Sequence, residues 1–201
     1  ISGSLSLAEQ TTLTRLTTSP ADDYFPAWSP DGRWLVYHSY PEDSEKTDLF
    51  LLDVEKALAD DPTAITRLTF DIEAANGYAS FSPDGSQIVF VSERDGISNL
   101  YLINPDGSGL TQLTDNDYND GFPAWHPDPE RREIAFMSDR SGVFEIYFLS
   151  LDVLAREGEA LATTLFEAPS RLALGGEPGD TGFPAYSPDG RQIVFANASD
   201  I

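Results

Sequence analysis

The sequence predicts an all-β fold: a β-propeller of four-stranded antiparallel blades, with about four blades visible and the last incomplete. Three observations carry that expectation. One motif occurs four times in phase, an apolar run of β-formers follows each copy, and turn residues separate the runs. The copies are Phe25-Pro26-Ala27-Trp28-Ser29-Pro30-Asp31-Gly32, Tyr78-Ala79-Ser80-Phe81-Ser82-Pro83-Asp84-Gly85, Phe122-Pro123-Ala124-Trp125-His126-Pro127-Asp128 and Phe183-Pro184-Ala185-Tyr186-Ser187-Pro188-Asp189-Gly190.

Within a unit, strand A runs through Ala27–Ser29 and its equivalents. Ser-Pro-Asp-Gly then makes a turn, because Pro fixes φ, Asp hydrogen-bonds its own backbone and Gly accepts positive φ. Strand B follows at Leu35–Ser39, Ile88–Ser92, Ile134–Ser138 and Ile193–Asn197. A second turn, Glu93-Arg94-Asp95-Gly96 or Asp139-Arg140-Ser141-Gly142, leads to strand C at Leu49–Leu52, Leu100–Ile103 and Ile146–Leu149. Strand D is expected at Ile65–Thr69 and Leu110–Thr114, and Leu13–Thr17 reads as one more D strand, of a closing or preceding blade. The expected organisation is a lead over residues 1–12, that strand at 13–17, blades at 24–69, 77–114 and 121–174, and a partial blade at 182–201. Radial repetition of such units is what makes a propeller. Trp28, Phe81, Trp125 and Tyr186 recur at steps of 53, 44 and 61 residues and are expected in the packing between blades. The surplus length falls in loops. Asp53–Asp61 and Asp152–Ala162 read as short helices inserted at the surface.

Composition removes several function classes. In 201 residues, 12 Lys+Arg face 34 Asp+Glu, a net charge of −22, which repels phosphate backbones and excludes nucleic acid as a partner. There is no cysteine, hence no disulfide, thiolate metal site or cysteine nucleophile. No apolar stretch reaches the roughly 18 residues that span a bilayer, so membrane insertion is not expected. Ile1, with no basic-then-apolar leader before it, reads as the start of a processed or trimmed product. The two histidines, His38 and His126, are far apart in the repeat, and neither a Gly-x-Ser-x-Gly elbow nor a Gly-rich phosphate loop occurs. No catalysis is expected.

Acidic residues are the more informative feature. The D–A and B–C connections of a blade share one face, and there the candidate binding residues are Asp22, Asp23, Asn76, Asp117, Asp120 and Asp180. Two readings stand open: gathered around a channel mouth, their oxygens make a negative funnel for a basic or cation-bridged partner, or they are solvated loop carboxylates that serve only to keep the protein soluble. Asp115-Asn116-Asp117-Tyr118-Asn119-Asp120-Gly121 places Asp115, Asp117 and Asn119 at the alternate spacing of a hard-cation loop. The glycine comes one place late and position twelve is His126, so an EF-hand is excluded. A looser Ca²⁺ loop and a plain Asx-rich turn both remain open, and no other cofactor is expected.

Pro-Ala-aromatic-Ser-Pro-Asp-Gly, then Ile-Val-Phe-x-Ser, Asp-Arg-x-Gly, Ile/Leu-Tyr and Arg/Gln-Leu-Thr together resemble the TolB-type β-propeller repeat family, a WD40-like repeat with a Pro-Asp signature. The resemblance runs from about Leu13 to Asn197. It departs at Ala79, where the other units carry Pro, and in the third unit, where Pro129-Glu130-Arg131-Arg132 replaces the glycine and adds two residues. The resemblance implies a closed propeller in an exported bacterial protein, periplasmic or extracellular. Its role would be that of a non-catalytic scaffold binding a protein through the acidic loop face. Two alternatives stand beside it: the gating propeller of a prolyl-oligopeptidase-like peptidase, and a structural subunit of an oligomer or larger assembly.

Overall fold

The computed structural model describes residues 13–70, 73–152, 170–171 and 181–197. Blade one is β1 (Asp23–Trp28), β2 (Trp34–Ser39), β3 (Asp48–Asp53) and β4 (Ile65–Arg67), with α1 (Val54–Leu58) between β3 and β4. Blade two is β5 (Asn76–Phe81), β6 (Ile88–Ser92), β7 (Asn99–Ile103) and β8 (Thr111–Gln112). Blade three is β9 (Asp120–Trp125), β10 (Glu133–Ser138), β11 (Glu145–Ser150) and β12 (Ser170–Arg171), and β13 (Thr181–Tyr186) pairs with β14 (Ile193–Asn197) in the fourth sheet. Every pairing is between consecutive antiparallel strands, a meander.

The Ser-Pro-Asp-Gly turns show why the repeat keeps those residues. In blade two the Ser82 hydroxyl donates to Asp84 Oδ1 (2.6 Å) and accepts from Gln87 N–H (3.0 Å), while Asp84 Oδ1 also accepts from Ser86 N–H (3.0 Å). Gly85, at φ 72°, closes the turn by donating to Ser82 O (2.9 Å). Ser29/Asp31 and Ser187/Asp189 repeat the arrangement at 2.6 Å. In blade three His126 replaces the serine, and its Nδ1 accepts from Asp128 N–H (3.1 Å). The serine hydroxyl first, and a backbone N–H second, hold the Asp31, Asp84 and Asp189 carboxyls below the usual carboxylate range. A depressed folded pKa adds stability above the unfolded value, near pH 4, and that stability is lost as pH falls through the folded value. The combined variant Asp31→Asn, Asp84→Asn, Asp189→Asn should therefore show a shallower loss of melting temperature between about pH 5 and pH 2. An unchanged slope would remove the turns from the acid response.

Blades stack face to face. Ile88, Phe90, Tyr101 and Ile103 of blade two pack with Val36, Leu49, Leu51 and Leu68 of blade one. The opposite face, Val89, Val91, Leu100 and Leu102, packs with Trp125, Ile134, Phe136 and Tyr147 of blade three. A sheet buried on both sides explains why β6 and β7 are continuous hydrophobic runs rather than alternating ones. Each junction is also latched by backbone: Asn76 N–H donates to Thr47 O (2.8 Å), Asp120 to Ser98 O (2.8 Å) and Thr181 to Phe144 O (2.7 Å). These latches start each blade one residue before the expected boundary, at Asn76, Asp120 and Thr181.

Three further expectations need correction. Residues 13–17 form no strand, because a D strand exists only by pairing with a C strand and none is offered to this segment among the described residues. Trp28 is 57% exposed among the described residues, whereas its repeat partner Phe81 is buried in the cluster between blades one and two. Strand D is short, down to two residues in β8 and β12. The helix expected at Asp53–Asp61 forms as α1, its N-terminus capped by the Asp53 carboxylate accepting from Lys56 N–H (3.2 Å), and it buries none of its residues. The helix expected at Asp152–Ala162 lies outside the described residues beyond Asp152.

Candidate binding face

The first strand of each blade carries one shared irregularity. β1, β5, β9 and β13 lie against one another in sequence about the axis. In each, pairing with the next strand slips between Tyr24 and Ala27, Gly77 and Ser80, Gly121 and Ala124, or Gly182 and Ala185. At each slip an aromatic residue sits at positive φ: Phe25 (48°), Tyr78 (54°), Phe122 (49°) and Phe183 (57°). Left-handed backbone at such a residue costs on the order of 1–3 kcal/mol, and a bulge re-aims a side chain out of the strand's alternation. Here the four rings converge. Centroids are 4.9 Å apart for Phe25–Tyr78, 4.2 Å for Tyr78–Phe122 and 4.2 Å for Phe122–Phe183. Phe25 and Phe183, at the ends of this ladder, are 51% and 55% exposed.

His38 supports the ladder from β2. Its ring stacks on Tyr24 and Phe25 with centroids 5.5 Å from each, and its Nδ1 accepts from Tyr78 N–H (3.3 Å). Burial pushes the imidazole below its ordinary value, and with Nδ1 accepting from Tyr78 N–H the neutral ring carries its proton on Nε2. Gly77 is required beside it, because a Cβ there would lie 2.8 Å from His38 Nδ1. His126 spends both nitrogens on backbone, Nδ1 on Asp128 N–H and Nε2 on Gly190 O (3.2 Å).

The loops around the ladder do share one face: Glu93 N–H reaches Ala75 O (3.0 Å), and Asn119 N–H reaches Asp139 Oδ1 (2.8 Å). Among the acidic candidates, Asp22, Asp23 and Asp117 are exposed there. Asp22 accepts from the Tyr24 hydroxyl (3.4 Å) and Asp23 from the Thr17 hydroxyl (2.7 Å). Asn76 and Asp120 are not part of a solvent-facing funnel, at 1% and 0% exposure. Asn76 donates to Asp48 Oδ1 of the preceding blade (3.0 Å), and Asp120 accepts from Arg140 (3.0 Å) and Asn116 (2.9 Å). A buried carboxylate or amide needs such partners: the Asn76 amide ties blade two to blade one, and the Asp120 carboxylate ties Arg140 to the loop that enters blade three. Asp180 lies outside the described residues.

The loop proposed for a hard cation is organised by its own amides. Asn116 Oδ1 accepts from Tyr118 N–H (2.8 Å), an Asx turn, and Asn119 Nδ2 donates to Asp139 Oδ2 (2.8 Å). Asp115 and Asp117 point to solvent beside it. Among the described residues no group of three or more His, Asp or Glu side chains is placed to hold a metal ion, and no helix is long and apolar enough to cross a membrane.

The aromatic ladder is the feature that sequence reading passed over. Its signal was present, an aromatic directly before Pro-Ala in three units and before Ala79 in the other. Strict alternation along a strand gives no reason to turn that residue toward the axis.

Four-stranded meanders stacked about an axis lined by their first strands make this chain a β-propeller domain. Residues 57–164 match the family model described as TolB beta propeller domain, and the chain belongs to that family. An uncharacterized protein of Agrobacterium fabrum is 34% identical over 115 residues, 57% of this chain and 36% of that protein. The Tol-Pal system protein TolB of Francisella tularensis subsp. mediasiatica is 32% identical over 176 residues, 87% of this chain and 35% of that protein. The chain thus spans about a third of the length of these relatives. The crystal structure of TolB from Acinetobacter baumannii superposes with a TM-score of 0.64 at 21% identity, covering 90% of this chain and 39% of that one. A puromycin-hydrolyzing peptidase of Mycobacterium tuberculosis gives a TM-score of 0.61 at 13% identity over 86% of this chain and 25% of its own, a likeness of fold alone.

Proposed function

We propose that this domain is a non-catalytic scaffold that binds a basic segment of a protein partner at the mouth of the axis. The observation that carries the reading is the ladder itself. Four aromatic side chains held at positive φ converge on one spot, and two of them stay more than half exposed. Backbone strain and exposed apolar area are both unfavourable for an isolated domain, whereas an aromatic centre with a polar rim is the usual anatomy of a binding hot spot. Asp22, Asp23 and Asp117 supply an acidic rim, which favours a cationic or cation-bridged partner. Relatives named as Tol-Pal system proteins support a protein as the partner.

A displayed library of random short peptides tests this. Enriched peptides should carry Arg or Lys beside an apolar residue and lose about tenfold or more in affinity to the double variant Phe25→Ser, Phe183→Ser. Enrichment of acidic peptides, or binding indifferent to both substitutions, would overturn the reading.

A further inference from the structure

We propose that blade one holds an open socket for the guanidinium of an arginine carried by that basic partner. The inference rests on the partner being a cationic protein segment and names the side chain and the place.

Blades two and three build the same socket and fill it themselves. In blade three, Arg140 donates through Nε to Ser138 Oγ (2.9 Å) and through Nη2 to Asp120 Oδ1 (3.0 Å), with its guanidinium carbon 4.7 Å from the Tyr147 ring centre. In blade two, Arg94 does likewise with Ser92 Oγ (3.0 Å), Asn76 Oδ1 (3.4 Å) and the Tyr101 ring (4.6 Å). The receiving positions are fixed by register: Asp120 opposite Ser138, Asn76 opposite Ser92, and the stacking tyrosine opposite a phenylalanine of strand B.

Blade one has every receiving position. Asp23 lies opposite Ser39, and Phe50 lies opposite Tyr37. What it lacks is the arginine. Two residues after the serine stands Pro41, where the other blades have Arg94 and Arg140. The side chains that would grip a guanidinium (Asp23, Tyr37, Ser39 and Phe50) instead line an open cleft of about 420 Å³, with Glu42 at its rim. The nearby Arg67 does not take the place. It is held by Asp43 (2.8 and 3.1 Å) and Asp48 (2.9 Å), and its guanidinium lies over Phe70. Among the described residues Asp23 has one donor, the Thr17 hydroxyl, and a carboxylate accepts several. A planar guanidinium meets a carboxylate with a fork while stacking on a ring, which an ammonium cannot do, so arginine is selected over lysine.

The test titrates the full chain with Gly-Arg-Gly, and in parallel with Gly-Lys-Gly and Gly-citrulline-Gly, following backbone amide resonances. Saturable shifts centred on Asp23, Ser39 and Phe50 are expected for the arginine peptide, weakened about tenfold or more by Asp23→Asn. Pro41→Arg should restore the internal guanidinium and abolish the shifts. Should Pro41→Arg fail to fold, Asp23→Asn and Ser39→Ala carry the same test. An equal response to the citrulline peptide, unchanged binding in Asp23→Asn, or no saturation by about 50 mM peptide would overturn the socket. If that happens while selected peptides still depend on Phe25 and Phe183, the ladder reading survives and only the socket falls.

Discussion

Arg140→Met is expected to lower the unfolding free energy by about 3 kcal/mol, whereas Arg94→Met should lower it by about 1 kcal/mol. The two arginines occupy the same place in successive blades, each stacking on the equivalent tyrosine and bonding the equivalent serine. Their polar partners differ at one position. Arg140 neutralises Asp120, a carboxylate with no exposed surface, while Arg94 meets the neutral amide of Asn76. Removing the cation from a buried carboxylate leaves a charge without compensation, and the one amide donor that remains, Asn116, does not supply it. Removing it from an amide forfeits a single hydrogen bond. Urea denaturation of both variants gives the comparison directly, and the Arg140 variant should melt on the order of 10 °C lower than the parent. Equal losses in the two would show that Asp120 is not held as a buried carboxylate.

A second pair of equivalent residues separates in the same way. Trp125→Ala should cost about 3–5 kcal/mol and Trp28→Ala less than about 1 kcal/mol. Trp125 is packed between blades two and three, touching the cluster of Val89, Val91, Leu100 and Leu102, and its indole N–H has no hydrogen-bond partner among the described residues, so its loss is one of packing alone. Trp28 occupies the same repeat position with more than half its surface in solvent. Matched denaturation curves decide the matter. A large loss at Trp28 would mean that its face is covered in solution.

Both contrasts show where the repeat is informative and where it is silent. The phased motif was enough to locate strands B and C to within a residue, because β6 and β7 are apolar runs bounded by turn residues whose chemistry is local. The Ser-Pro-Asp-Gly turns close through bonds between residues two to five apart, and such bonds are written in adjacent letters. In sequence Asn76 and Asp120 are loop-edge polar residues like Asp22, and only packing, against Asp48 of the preceding blade for Asn76 and against Arg140 and Asn116 for Asp120, distinguishes a buried, partnered group from a solvated one. The aromatic ladder was missed because it depends on positive φ at a bulge, a conformation that aromatic residues adopt only when surrounding structure holds them there.

By itself, then, the order of residues determined that this chain is a series of four-stranded antiparallel units and where each unit turns. Folding in three dimensions decided which acidic groups meet water, which aromatics reach the axis, and which arginine sockets are filled. The division has a physical cause. Turns and strand pairing are settled by bonds between near neighbours in the chain, whereas burial is settled by what stands across a blade junction, dozens of residues away.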